Sequence, residues 1–70
     1  MKGKAGLMIR GCREIAGMTQ KDLAKRIGIP RSTLACYESG TNEPPFDRVQ
    51  DLVSACGFDL VLQKKREAWK

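Results

Sequence analysis

Residues 19–39 have the sequence TQKDLAKRIGIPRSTLACYES, which predicts two short helices joined by a tight turn. Thr19 is a good N-cap, and Asp22 three residues later gives the form of a capping box. Gly28 is typical of a helix C-terminus. Because Pro30 lacks an N–H group, the second helix must begin at this residue or at the next one.

Apolar residues at helical spacing predict one further helix on each side of this pair. The preceding helix covers residues 5–16 and is followed by Gly17. The helix after the pair ends at Gly57, and its apolar face carries Phe46, Val49, Leu52, Val53 and Cys56. We therefore expect a mainly α chain of four short helices over residues 1–57.

The hydrophobic period changes after Gly57. Residues 58–62, FDLVL, have the composition of a β-strand, and we expect a short C-terminal strand over 58–63. A short fifth helix at 58–62 is the competing prediction. Residues 64–70, KKREAWK, form a basic tail that is expected to be flexible and contains Trp69.

Composition excludes several classes of protein. The chain has 70 residues and a net charge of +5, which fits one small domain. Three cysteines, no histidine and no nucleotide-binding loop argue against a metal site, a disulfide framework and enzymatic activity, and no cofactor is expected. The sequence has neither a signal peptide nor a membrane-spanning run, so we expect a cytoplasmic protein.

Charge and helix geometry together favour double-stranded DNA as the partner. Residues 1–28 contain seven basic and two acidic side chains, and such a basic face suits a polyanion. Two short helices joined by a turn form a helix-turn-helix, whose second helix fits the major groove of DNA. An ordinary helical hairpin with a solvated surface is the alternative interpretation of the same spacing.

The order and spacing of these residues resemble the phage repressor and Cro class, the Xre family. The matching segments are residues 18–24, Gly28, residues 31–34 and residues 37–40, within about residues 7–57. The resemblance implies a phage-repressor-like helix-turn-helix bundle that binds DNA, usually as a dimer, and mostly represses transcription.

The same resemblance implies roles for individual residues. Arg31, Ser32 and Cys36 are expected to contact bases from the second helix of the pair. The residues expected to contact the DNA backbone are Gln20, Thr33, Arg10 and Lys21. For Arg10 and Lys21, a plain solvated surface position is the other interpretation.

Arg13 and Glu38 are expected to form an ion pair between the first and third helices. The Xre family pairs these positions, and Glu38 is predicted to lie on the inward side of its helix, next to Tyr37. An unpaired carboxylate would be costly there, and an arginine can answer it with two hydrogen bonds.

The predicted strand implies a dimer. A lone strand has no partner for its backbone groups in a helical chain, so two copies are expected to pair antiparallel. The expected interface residues are Phe58, Leu60, Val61 and Leu62. Such a homodimer would place two recognition helices about one helical turn apart and would require a palindromic operator.

Three functions fit these features. The first is a dimeric transcriptional repressor. The second is the antitoxin of a toxin–antitoxin pair, because the helices and the C-terminal strand look like HipB-type antitoxins, and this adds a toxin protein as partner. The third is an adaptor that binds proteins and has little affinity for DNA.

Overall fold

Four α-helices account for most of the residues that the computed structural model describes, which are residues 4–62 and 64. They are α1 (Ala5–Ile15), α2 (Gln20–Ile27), α3 (Arg31–Ser39) and α4 (Phe46–Ala55). The prediction of a mainly α bundle with four helices is confirmed. None of the four is long and apolar enough to cross a membrane.

Local hydrogen bonds set both ends of α2. The Thr19 hydroxyl accepts from the Asp22 N–H at 3.0 Å, and the Asp22 carboxylate accepts from the Thr19 N–H at 3.1 Å. Hydrogen bonds to the Asp22 carboxylate from the Thr19 backbone N–H and, to a smaller extent, the Thr19 side chain hold the pKa of Asp22 below its ordinary value. Gly28 has a φ of 78°, which lets the Ile29 N–H donate to the Ala24 carbonyl at 3.0 Å. This backbone hydrogen bond therefore fixes where α2 ends and where the turn into α3 begins.

The core is built from one face of each helix. Ile9 from α1, Leu23 from α2, Leu34 from α3 and Leu52 from α4 are completely or almost completely buried. Helices α1 and α2 each pack against both α3 and α4. As a result α3 is held on two sides by the bundle.

Phe46 does not belong to this core, although it was expected on the apolar face of α4. Its side chain is 67% exposed, whereas Val49, Leu52 and Val53 are buried as predicted. Phe46 is the first residue of α4. Because side chains of a helix tilt toward its N-terminus, the side chain of the first residue extends past the helix end.

At Gly6 the backbone of α1 lies close against the backbone of α3. A Cβ atom on Gly6 would overlap the carbonyl oxygen of Tyr37 and would lie 2.9 Å from the carbonyl oxygen of Glu38. Gly11, on the same helix, faces open space, with no atom within 4 Å of an added Cβ. Only the first of these glycines is therefore required for packing.

Residues 58–62 do not form the fifth helix that was the competing prediction. Gly57 has a φ of 91°, and the Phe58 N–H donates to the Val53 carbonyl at 2.9 Å, which terminates α4. The described residues contain no β-strand. The dimerising strand stays a prediction, because its pairing requires a second copy. Residue 63 and most of the predicted tail, residues 65–70 with Trp69, lie outside the described residues.

Candidate DNA-binding site

Helix α3 has one side in the core and one side exposed. Leu34 is fully buried, whereas Arg31 and Ser32 are exposed and Cys36 is half-buried. No side chain caps the start of α3, which follows the extended residue Pro30. The first turn of α3 thus presents its side chains and its N-terminal end at the surface.

A partly buried ion pair connects α3 to α1. Arg13 Nε lies 2.7 Å from Glu38 Oε2, and Arg13 Nη2 lies 3.1 Å from Glu38 Oε1. Arg13 Nη1 also donates to the Met18 carbonyl at 2.8 Å. The two charged side chains are only 13% and 5% exposed. The hydrogen bond with Glu38 raises the pKa of Arg13 above its ordinary value despite burial, so Arg13 stays charged.

Gln20 extends this pair to the start of α3. Its Nε2 donates to Glu38 Oε1 at 3.1 Å, and its Oε1 accepts from Arg31 Nη1 at 3.1 Å. Because an ionised carboxylate can only accept, Glu38 fixes which end of the Gln20 amide faces Arg31. A continuous chain of hydrogen bonds therefore runs from Arg13 to the exposed guanidinium of Arg31.

This connection between Gln20 and Arg31 was not predicted from the sequence. A signal for it exists, because the Thr19 cap and Pro30 make Gln20 and Arg31 the first residues of their helices. In a helix-turn-helix the two helix starts lie on neighbouring elements, so the first side chains can meet.

A hollow of about 300 Å³ lies between α1, the start of α2 and the outer part of α3. Arg10, Gln20, Ala35 and Ser39 contribute to its lining, together with the Arg13–Glu38 pair. Arg10 binds Glu14 at 3.1 Å, but both side chains are more than half exposed. Such an exposed pair contributes at most about 1 kcal/mol, so Arg10 can exchange Glu14 for another anion.

The remaining predicted contacts lie outside this hollow. Lys21 is exposed next to Gln20, and Thr33 is half-buried in the first turn of α3, but neither residue lines the hollow. The structure therefore groups Arg10, Gln20 and Arg31 with the exposed side of α3. It leaves Lys21 as a separate positive charge on α2.

Comparison with known proteins shows which family of proteins the chain resembles. Residues 9–63 match a family model described as Helix-turn-helix. Over 58 residues the chain is 33% identical to a protein of Sinorhizobium fredii (strain NBRC 101917 / NGR234) named "Uncharacterized HTH-type transcriptional regulator y4dL". The alignment covers 83% of this chain and 30% of that protein, so the chain spans less than a third of the length of this relative. No solved structure matches the chain at a significant level.

Proposed function

Because this chain belongs to the Xre-type helix-turn-helix family, we propose that it binds operator DNA sequence-specifically as a dimer and represses transcription. The observation that carries this proposal is the hydrogen bond from Arg31 to Gln20, which holds a cationic side chain at the exposed start of α3. In the major groove, a side chain at this place reaches base edges.

Base reading is assigned to the exposed side of α3. Arg31 donates one N–H to the Gln20 side chain, and its other N–H groups are available to bridge O6 and N7 of a guanine. Ser32 follows directly, and Cys36 lies about one turn further along the helix. A half-buried thiol at Cys36 suits an apolar contact to a thymine methyl group.

Backbone binding is assigned to residues around the hollow and on α2. The Gln20 side-chain amide has two N–H donors. One donates to Glu38, so the second is available to a phosphate oxygen. Arg10 at the rim of the hollow and Lys21 on α2 supply positive charge, and Thr33 supplies a hydroxyl. These contacts are not sequence-specific, and they favour binding at low salt.

We expect Arg31→Ala to relax selectivity at one position of each half-site. The loss of a two-pronged guanine contact is worth about 1–3 kcal/mol of discrimination. Gln20→Ala should weaken binding to every sequence and also reduce this preference, since it removes the support of Arg31. Competition titrations with operators substituted at single positions measure both effects.

Arg31→Lys is the matched control for this experiment, because it keeps the charge and loses the planar fork. It should retain affinity for random DNA while losing most of the preference for one base. An equal loss of affinity for all sequences in Arg31→Ala would make Arg31 a phosphate contact. Absence of salt-dependent DNA binding in the parent protein would favour the adaptor function instead.

Dimerisation is assigned to residues 58–62. Val61 and Leu62 are 75% and 103% exposed, while Phe58 and Leu60 are half-buried. A non-helical segment with exposed apolar side chains favours pairing with another chain. Antiparallel pairing of two copies would relate their recognition helices by a two-fold axis, as a palindromic operator requires.

We expect Leu60→Lys and Val61→Pro to give monomers that keep their four helices and lose operator affinity. A charge at Leu60 opposes burial in the interface, and a proline at Val61 removes an N–H group from the strand pair. Light scattering measures the mass, and circular dichroism measures the helix content. Leu7→Lys, the same change as Leu60→Lys at an exposed leucine of α1, should remain dimeric. A parent protein that is monomeric at micromolar concentration would contradict the strand pair.

An antitoxin role is the second candidate, and one observation favours it. Leu7 and Ile15 lie on the outer face of α1 and are 70% and 76% exposed, with Gly11 between them. An apolar helix face of this kind is typical of a surface that binds another protein. Copurification of the untagged protein encoded next to this chain tests the role, and loss of that protein in Leu7→Lys would locate its binding site.

A further inference from the structure

Glu14 is an exposed acidic residue in a basic part of the chain. Residues 1–28 contain seven basic side chains and two acidic ones, Glu14 and Asp22. The Asp22 carboxylate accepts the Thr19 N–H at the start of α2, so it has a structural role. Within the part of the chain that the structure describes, the Glu14 side chain is hydrogen-bonded to Arg10 alone. The one partner of Glu14 is thus a residue assigned to the DNA backbone.

The position of Glu14 in α1 is unfavourable for helix stability. Glu14 is the penultimate residue of α1, and an acidic side chain in the last turn opposes the helix dipole. Arg10 precedes Glu14 by four residues, whereas the more stabilising order of such a pair has the acidic residue first. Both side chains are more than half exposed, which weakens the pair further. The stability of α1 therefore does not account for Glu14.

Arg10 stands between Glu14 and the proposed DNA-binding surface. Its side chain lines the hollow between α1, the start of α2 and the outer part of α3, together with Gln20 and Ser39. Glu14 does not line this hollow. In the free protein, the Arg10 side chain is therefore held by an anion outside the hollow, although it borders the place proposed for a phosphate group.

An exchange of partners favours DNA over Glu14. One hydrogen bond joins the two side chains, from Arg10 Nε to Glu14 Oε2 at 3.1 Å. A phosphate group can accept two parallel N–H bonds from one guanidinium, and double-stranded DNA carries one negative charge per about 1.7 Å of its axis. Arg10 can therefore leave Glu14 for a phosphate, but every such contact requires that the Arg10–Glu14 pair is broken first.

We propose that Glu14 competes with DNA phosphate for Arg10 and thereby limits the affinity of the protein for DNA of any sequence. This inference rests on the proposed DNA binding and on the assignment of Arg10 to the DNA backbone. Because backbone contacts carry no sequence information, the competition lowers the affinity for random DNA and for the operator by the same factor. It leaves the ratio of the two affinities, to which Arg31 contributes, unchanged.

A double-mutant cycle tests the inference with four proteins: the parent, Glu14→Gln, Arg10→Gln and the double variant. Glutamine has the length of glutamate and a similar helix propensity, but it does not form an ion pair with arginine. We expect Glu14→Gln to bind a random duplex about two- to fivefold more tightly than the parent, which is the range that an exposed ion pair is worth. Fluorescence anisotropy at low salt measures the dissociation constants.

The Arg10→Gln background separates competition from a general effect of charge. Removal of a negative charge near DNA raises the affinity without any pairing, and this part of the effect persists in the absence of Arg10. Competition requires Arg10, so the gain from Glu14→Gln should be at least about twofold smaller in Arg10→Gln than in the parent. An equal gain in both backgrounds would mean that Glu14 acts by its charge alone, and it would overturn the inference.

The Nε–H resonance of Arg10 in NMR spectra reports the partner of this side chain directly. In the free proteins the resonance should differ between the parent and Glu14→Gln, because Glu14 accepts this N–H in the parent. In the two DNA complexes the resonances should coincide, because a phosphate has replaced Glu14. A difference that persists in the complexes would mean that Arg10 stays bound to Glu14 on DNA, which contradicts the exchange.

Controls distinguish failure of the inference from failure of the proposed function. Glu43→Gln removes an exposed carboxylate that lies outside the hollow, and its effect on DNA affinity should be the same with and without Arg10. A parent protein that binds neither operator nor random duplex would refute the proposed DNA binding and this inference with it. A parent that binds DNA but shows no coupling between Glu14 and Arg10 refutes the competition alone.

Discussion

Glu38→Ala should lower the free energy of unfolding by about 3–5 kcal/mol, because it leaves the largely buried guanidinium of Arg13 without its partner. The side chain of Arg13 is only 13% exposed, so water replaces the carboxylate poorly. Gln20 loses its acceptor in the same variant. Since small domains have total stabilities of about 5–15 kcal/mol, this loss removes a large share of the stability and should lower the denaturation midpoint markedly. Urea denaturation followed by circular dichroism measures the loss.

Glu14→Ala is the matched control for this prediction. It also removes a glutamate bound to an arginine of α1, but the Arg10–Glu14 pair is more than half exposed. Its effect should stay within about 0.5 kcal/mol. Equal denaturation midpoints for Glu38→Ala and the parent would mean that the Arg13–Glu38 pair does not stabilise the fold.

Gly6→Ala should lower the free energy of unfolding by about 3 kcal/mol, because the new methyl group overlaps the backbone of α3. Its neighbours are the carbonyl oxygens of Tyr37 and Glu38, which cannot rotate away as a flexible side chain would. Helix α1 must therefore move outward, and this movement also stretches the bonds between Arg13 and Glu38. Thermal denaturation should show the loss, and operator affinity should fall because the Arg13–Glu38 bonds that hold α3 against α1 are weakened.

Gly11→Ala is the same substitution in the same helix, and it should have the opposite sign. No atom lies within 4 Å of an added Cβ there, so only the helix propensity changes. Replacement of a helical glycine by alanine gains about 0.5–1 kcal/mol. An equal gain in Gly6→Ala would contradict the close approach of α1 and α3.

The sequence predicts the helices well because each boundary has a local cause. Thr19, Pro30 and Gly28 act on the backbone next to them, so their effects do not depend on the rest of the fold. Phe46 was misplaced for a related reason. Helical spacing describes the direction of a side chain around the axis, but it does not take into account that the first residue extends beyond the helix end.

Contacts between helices could not be predicted in the same way. A glycine within a helix pattern does not reveal whether it approaches another backbone, so the role of Gly6 emerged only from the packing of α1 on α3. The Arg31–Gln20 bond likewise depends on the angle between α2 and α3. The Arg13–Glu38 pair was expected from the family resemblance, and the pairing of residues 58–62 depends on a second molecule.

The bond between Arg31 and Gln20 also has a consequence for the kinetics of DNA association. A free arginine side chain loses up to about 2 kcal/mol of rotamer entropy when it is immobilised. In this protein part of that entropy is already lost on folding, since Gln20 holds the guanidinium before DNA arrives. Encounter is then limited by diffusion and charge, so the association rate constant should fall steeply with salt. Differences between operators should appear mainly in the residence time on DNA.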